Sequence, residues 1–110
     1  MDITESAVGD VKVATLKGRL DTATAAAAET RIIAMLEGGA KVVADLAEVH
    51  YVSSAGLRVL LKAAKQAKAA GGAFALAAPQ PPVREVLEIS GFDKILGVHA
   101  SAAAAAAALA

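Results

Sequence analysis

At 110 residues the chain has room for one small domain with a single core. Eleven basic residues balance eleven acidic ones, so no general attraction to nucleic acid is expected, and the absence of cysteine excludes disulfides and thiolate metal sites. Hydrophobic residues reach 56%, yet with one Tyr, two Phe and no Trp the core must be built from Val, Ile, Leu and Ala.

The N-terminal MDITESAVGD carries acids in place of a basic leader, and no run of about 18 large apolar residues is available to span a bilayer. A soluble cytoplasmic protein is the expectation. The first predicted strand is VKVATLKG, Val11–Gly18, rich in β-branched and apolar residues and followed by a turn-like exit through Asp21. This strand is a candidate for antiparallel pairing at a sheet edge. From Thr22 the period changes: Ala25, Ala28, Ile32, Met35 and Leu36 mark one face of a helix, with Asp21 or Thr22 as its cap and Gly38-Gly39 as its stop.

Lys41–Leu46, KVVADL, reads as a strand covered on both faces. Leu57, Leu60, Leu61, Ala64 and Ala67 describe a second amphipathic helix that ends at Gly71-Gly72. AFALA, Ala73–Ala77, is a third buried strand. Pro79, Pro81 and Pro82 then pre-set a third helix with Val83, Val86, Leu87 and Ser90 on one side and Gly91 as its stop. Ile95–Val98 is a short last strand. Residues 101–110, SAAAAAAALA, form an alanine-rich helix or tail that Ser101 can cap; so short a helix is marginal alone and either docks on the domain or frays. Strands alternating with helices predict a single α/β domain over residues 1–100, with a mixed, mostly parallel sheet of four to five strands and about four helices.

The informative stretch is HYVSSAGLRVLLKAAK, His50–Lys65. Ser53 or Ser54 opens the second helix, and a serine hydroxyl there caps it, which accounts for one of the two. No acid follows in the first turn, where the helix dipole favours one; Ala55, Gly56 and Leu57 come instead. The helix end keeps free N–H donors and a positive partial charge. Phosphorylation of a serine here adds about −1.5 to −2 charge that the fold tolerates, while inverting the local potential. Ser54, Arg58, Lys62 and Lys65 also fall on one stripe, and every charged residue between Ser54 and Gly72 is basic. The stripe suits an acidic partner whose attraction a phosphate would weaken.

Other chemistries fit poorly. Asp45, His50 and Ser54 contain triad residue types, but no shaped pocket or oxyanion hole is indicated. His50 and His99 stand far apart with no Cys beside them, and neither GRLD nor SSAGL has the glycine count of a nucleotide loop. No enzyme, cofactor or metal is expected.

DLAEVHYVSSAGLRVLL, Asp45–Leu61, resembles the signature of STAS domains, in particular the bacterial anti-sigma factor antagonists. GRLDTATA, Gly18–Ala25, and VREVLEISGFDKIL, Val83–Leu96, resemble further family segments in the same order, so the likeness covers roughly residues 8–100. The resemblance implies a domain that binds an anti-sigma factor, itself a GHKL-type serine kinase, and is released when the kinase phosphorylates a serine at the start of the second helix. A serine phosphatase reverses the step. Aligned on Gly56-Leu57, the phosphorylated position is Ser54. Ser53 stands where the family commonly has Asp and is the alternative acceptor, Ala55 takes the place of a second hydroxyl residue, and the strand-exit acid is Asp21. The expected partner surface comprises Asp21, Ser53, Ser54, Gly56, Arg58, Lys62 and Lys65, on a monomer that neither binds nucleic acid nor inserts into membranes. Family members without phosphorylation serve as scaffolds in lipid-transport or sensory complexes, which is the alternative role.

Overall fold

Gly9 and Asp10 form a two-residue turn between two antiparallel strands, β1 (Asp2–Val8) and β2 (Val11–Leu20), with Val8 opposite Val11. Gly9 takes the positive φ, +59°, that such a turn demands. The computed structural model describes all 110 residues and continues as α1 (Ala25–Met35), β3 (Lys41–Val52), α2 (Ser54–Ala69), β4 (Ala73–Ala77), α3 (Pro81–Ile89), β5 (Gly97–His99) and α4 (Ala102–Leu109). The sheet order is β1-β2-β3-β4-β5, with β1 antiparallel to β2 and every later pair parallel. The mixed, mostly parallel sheet and four α-helices agree with the sequence reading.

Strand order and chain order coincide, so each parallel step moves in the same direction across the sheet. Right-handed crossovers then place all the connecting helices on one face. Accordingly Ala28 and Ile32 of α1, Val59, Leu60 and Ala63 of α2, and Val83 and Leu87 of α3 share one core with Leu16, Leu20, Val42, Leu46, Phe74 and Leu76 of the strands. The opposite face is left to α4, whose Ala105 and Ala106 pack on Val11, Val13, Val43 and Ala77. Ser101 caps α4, its hydroxyl accepting from the Ala104 N–H at 3.1 Å. The alanine-rich segment therefore docks and closes the second face. No helix is long and apolar enough to cross a membrane.

Several boundaries differ from expectation for identifiable reasons. The strand β1 was not anticipated: six of its seven residues are exposed, so it has no alternating apolar pattern. It takes the sheet edge, and β2, expected there, lies inside between β1 and β3. β3 runs on past Leu46 to Val52, carrying His50 and Tyr51 along the strand. The helix after Asp21 starts only at Ala25, with Thr24 at its cap position and Thr22 exposed. Ser90 is exposed at the end of α3, while Val83 and Leu87 are buried. The last strand is Gly97–His99, because Phe92–Lys94 form a 3₁₀ turn that leaves Ile95 exposed and buries Leu96.

Candidate functional site

Where β2 and β3 end, the chain turns into α1 and α2, and the two junctions are joined. The Ser53 N–H donates to the Leu20 carbonyl at 2.9 Å. Gly56 lies buried against the same residue: a Cβ there would fall 2.5 Å from the Leu20 carbonyl oxygen and 2.8 Å from Leu20 Cγ. Only glycine lets the first turn of α2 approach this closely. Gly56, expected as part of a partner surface, is thus covered by its own fold, and its role is to set the height of the helix end.

The two serines divide their roles. Ser53 is the cap, with extended backbone (φ −86°, ψ 175°) and a hydroxyl that accepts from the Gly56 N–H at 3.2 Å. Ser54 is the first helical residue; it is exposed, and its hydroxyl has no partner within the protein. No acid occupies the first turn. The N–H groups of Ser54 and Ala55 have no acceptor within a helix that begins at this point.

Asp21 closes the neighbouring junction. Its Oδ1 accepts from the N–H groups of Ala23 at 3.0 Å and Thr24 at 3.2 Å, and its Oδ2 accepts from Arg19 Nε at 3.4 Å. The Thr24 hydroxyl accepts from the Asp21 N–H at 2.9 Å and donates to the Arg19 carbonyl at 2.8 Å. Desolvation works to raise the Asp21 pKa. The hydrogen bonds from the Thr24 and Ala23 N–H groups, from Arg19 and from the Thr24 hydroxyl outweigh it and hold the carboxyl below its usual range. Arg19 also lies over the Tyr51 ring, 4.4 Å from its centroid, because register shifts between β2 and β3 bring these two residues opposite each other. Asp21 is therefore a clasp for the turn before α1.

Between α1 and α2 runs an open groove of about 410 Å³, floored by small apolar residues including Ala25, Ala26, Ala55 and Val59. Arg58, Lys62 and Lys65 line it from α2 and Glu29 from α1. The basic stripe is exposed as expected, but it is not uniformly free: Lys62 Nζ lies 3.4 Å from Glu29 Oε2. Arg58 and Lys65 form no ion pair. Glu29 escaped sequence reasoning because the pairing depends on the register between two helices, which no local pattern encodes. Thr24 and the Arg19–Tyr51 stack escaped it for a similar reason, since both depend on where the bulged strands end.

The triad types do not meet. Asp45 Oδ1 accepts from the Ala47 N–H at 3.0 Å in the middle of β3, and His50 is exposed further along the strand. Six residues of strand separate Asp45 from Val52, about 23 Å of extended chain before Ser54 is reached.

The chain as a whole is similar to known proteins. BtrV of Bordetella bronchiseptica, assigned by name to the anti-sigma factor antagonists, is 42% identical over 98% of this chain and 94% of its own. The crystal structure of an anti-sigma factor antagonist from Mycobacterium paratuberculosis superposes with a TM-score of 0.89 at 26% identity, covering 98% of this chain and 92% of that one. A Thermotoga maritima protein assigned to the same class gives a TM-score of 0.90 at 24% identity, over 97% of this chain and 93% of its own, and shares the fold. The STAS domain model matches residues 3–105, from β1 into α4. Spanning nearly the whole sheet and the junction between β3 and α2, that match makes the chain a member of the STAS domain family.

Proposed function

We propose that this chain is an anti-sigma factor antagonist of the cytoplasm, switched by phosphorylation of Ser54. In the unmodified state it binds an anti-sigma factor that is itself a GHKL-type serine kinase, and so frees a sigma factor for transcription. Phosphorylation releases the kinase, and a serine phosphatase resets the cycle. The chain acts by binding and carries no catalytic group of its own.

The observation that carries this reading is the division between the serines. Ser53 is committed to the cap, which leaves the exposed Ser54 hydroxyl free to enter a kinase without cost to the helix. Arg58, Lys62 and Lys65 beside the groove supply attraction for an acidic surface on the partner. A phosphate at Ser54 brings negative charge and bulk to the edge of that contact. A hundredfold loss of affinity needs only about 2.7 kcal/mol, within reach of one buried, repelled charge. The relationship to BtrV supports the same class.

The test is phosphorylation by the cognate kinase with ATP, followed by mapping of the modified residue. Label on Ser54, abolished in Ser54→Ala, is the expected result; undiminished labelling of Ser54→Ala moves the site, with Ser53 the next candidate. Ser54→Asp is expected to bind the kinase at least tenfold more weakly than wild type. A second reading, a constitutive scaffold subunit of a lipid-transport or sensory complex, is favoured by Ser53, which stands where phosphorylated family members commonly carry Asp. It requires a stoichiometric complex indifferent to Ser54→Asp.

A further inference from the structure

Arg58 follows Ser54 by four residues on α2, so the two side chains stand one turn apart on the same exposed face. The guanidinium is free of ion pairs and lines the groove between α1 and α2. No other cation near this end is as available. Lys62 is held by Glu29 at 3.4 Å, and Arg19 by Asp21 at 3.4 Å and by the Tyr51 ring. Lys65 lies eleven residues along the helix, about 16 Å from Ser54. The first turn holds no acid to compete, and the carboxylates on the adjoining elements, Asp21 and Glu29, already have partners.

We propose that Arg58 is the internal clamp of the phosphorylated protein: a phosphate on Ser54 draws its guanidinium out of the groove into a charge-assisted pair. Modification then acts twice on the docking surface, adding an anion at its edge and withdrawing a cation from its wall. The inference rests on Ser54 being the residue phosphorylated. It extends that reading by making Arg58 the residue that converts the modification into a change of the groove. The planar guanidinium fork suits a phosphate, which accepts two parallel N–H donors, better than the ammonium of a lysine does.

The test installs phosphoserine at position 54 of the full chain by genetic encoding and follows its ³¹P resonance through a pH titration. A nearby fixed cation favours the dianion and moves the titration to lower pH. The helix end acts on the phosphate in every variant, so differences between variants isolate the side chain at position 58. The parent is expected to titrate about half a pH unit below Arg58→Ala, a threefold difference in proton affinity. Arg58→Lys is expected between them, and Lys65→Ala with the parent. Coincident titrations of the parent and Arg58→Ala overturn the clamp, as does an equal shift in Lys65→Ala. Because the phosphate is placed without a kinase, failure of the clamp and failure of Ser54 as a kinase substrate are separate results.

Discussion

Gly56 sits so close to Leu20 that a single added carbon would lie 2.5 Å from the Leu20 carbonyl oxygen. The same oxygen accepts the Ser53 N–H, so one peptide group of β2 fixes both the cap and the first turn of α2. Two opposing effects bear on Gly56→Ala. Alanine improves helix propensity by up to about 1 kcal/mol. Against this, a contact with backbone cannot relax as a flexible side chain does, and overpacking of this kind costs about 1–3 kcal/mol. The clash is expected to win, with a net loss of about 1–2 kcal/mol in urea denaturation and reduced modification of Ser54 as the helix end shifts. A variant as stable as wild type contradicts the close approach.

Ser53→Ala and Ser54→Ala are expected to separate cleanly. Removing the cap hydroxyl orphans the Gly56 N–H and costs about 1 kcal/mol. Removing the exposed Ser54 hydroxyl, which has no partner, changes stability by less than about 0.5 kcal/mol. Paired thermal or chemical denaturation decides the assignment; the reverse order of effects means that the serines have exchanged roles.

Asp21 sets an acid dependence whose sign follows from its hydrogen bonds. Its pKa is lower in the folded chain than in the unfolded one, so its contribution is complete above the unfolded value, near pH 4, and is lost as pH falls through the folded value. Asp21→Asn keeps an oxygen to accept from Ala23 and Thr24 but has no charge to lose. The variant is expected to show a shallower fall in stability below about pH 4, measured by denaturation at stepped pH. Identical slopes remove Asp21 as the source.

Glu29→Gln releases Lys62 from its ion pair and leaves the groove more positive. Lys62 is largely solvated and Glu29 partly so, and the fold is expected to change by less than about 0.5 kcal/mol. Binding to the acidic partner proposed above is expected to strengthen about twofold to threefold at low ionic strength, with the gain fading at high salt. Calorimetry at two salt concentrations reads this directly; weaker binding at low salt shows that Glu29 itself meets the partner.

Much of this architecture is legible in local patterns. The helical period through Ala28 and Ile32, the run KVVADL and the Gly71-Gly72 break each mark an element by sequence spacing alone. The edge strand β1 is harder to see, because Ile3 is its single half-buried residue; the usable signal is the Gly9-Asp10 turn, with Val8 and Val11 on either side. At the site, two serines and a missing acid announce an unusual helix end, but they do not say which serine caps. That is decided by backbone direction at Ser53, which the Leu20 carbonyl holds from thirty-three positions away. The Lys62–Glu29 pair likewise belongs to the packing of α1 on α2 and to neither sequence segment by itself.

The lone helix on the far side of the sheet has a practical use. Ala107 and Ala108 point to solvent on α4, with the whole thickness of the sheet between that helix and the Ser54 junction. A fluorophore or surface tether joined at either alanine would sit on the back of the molecule, so the front can be followed as it engages and lets go without the reporter standing in the way.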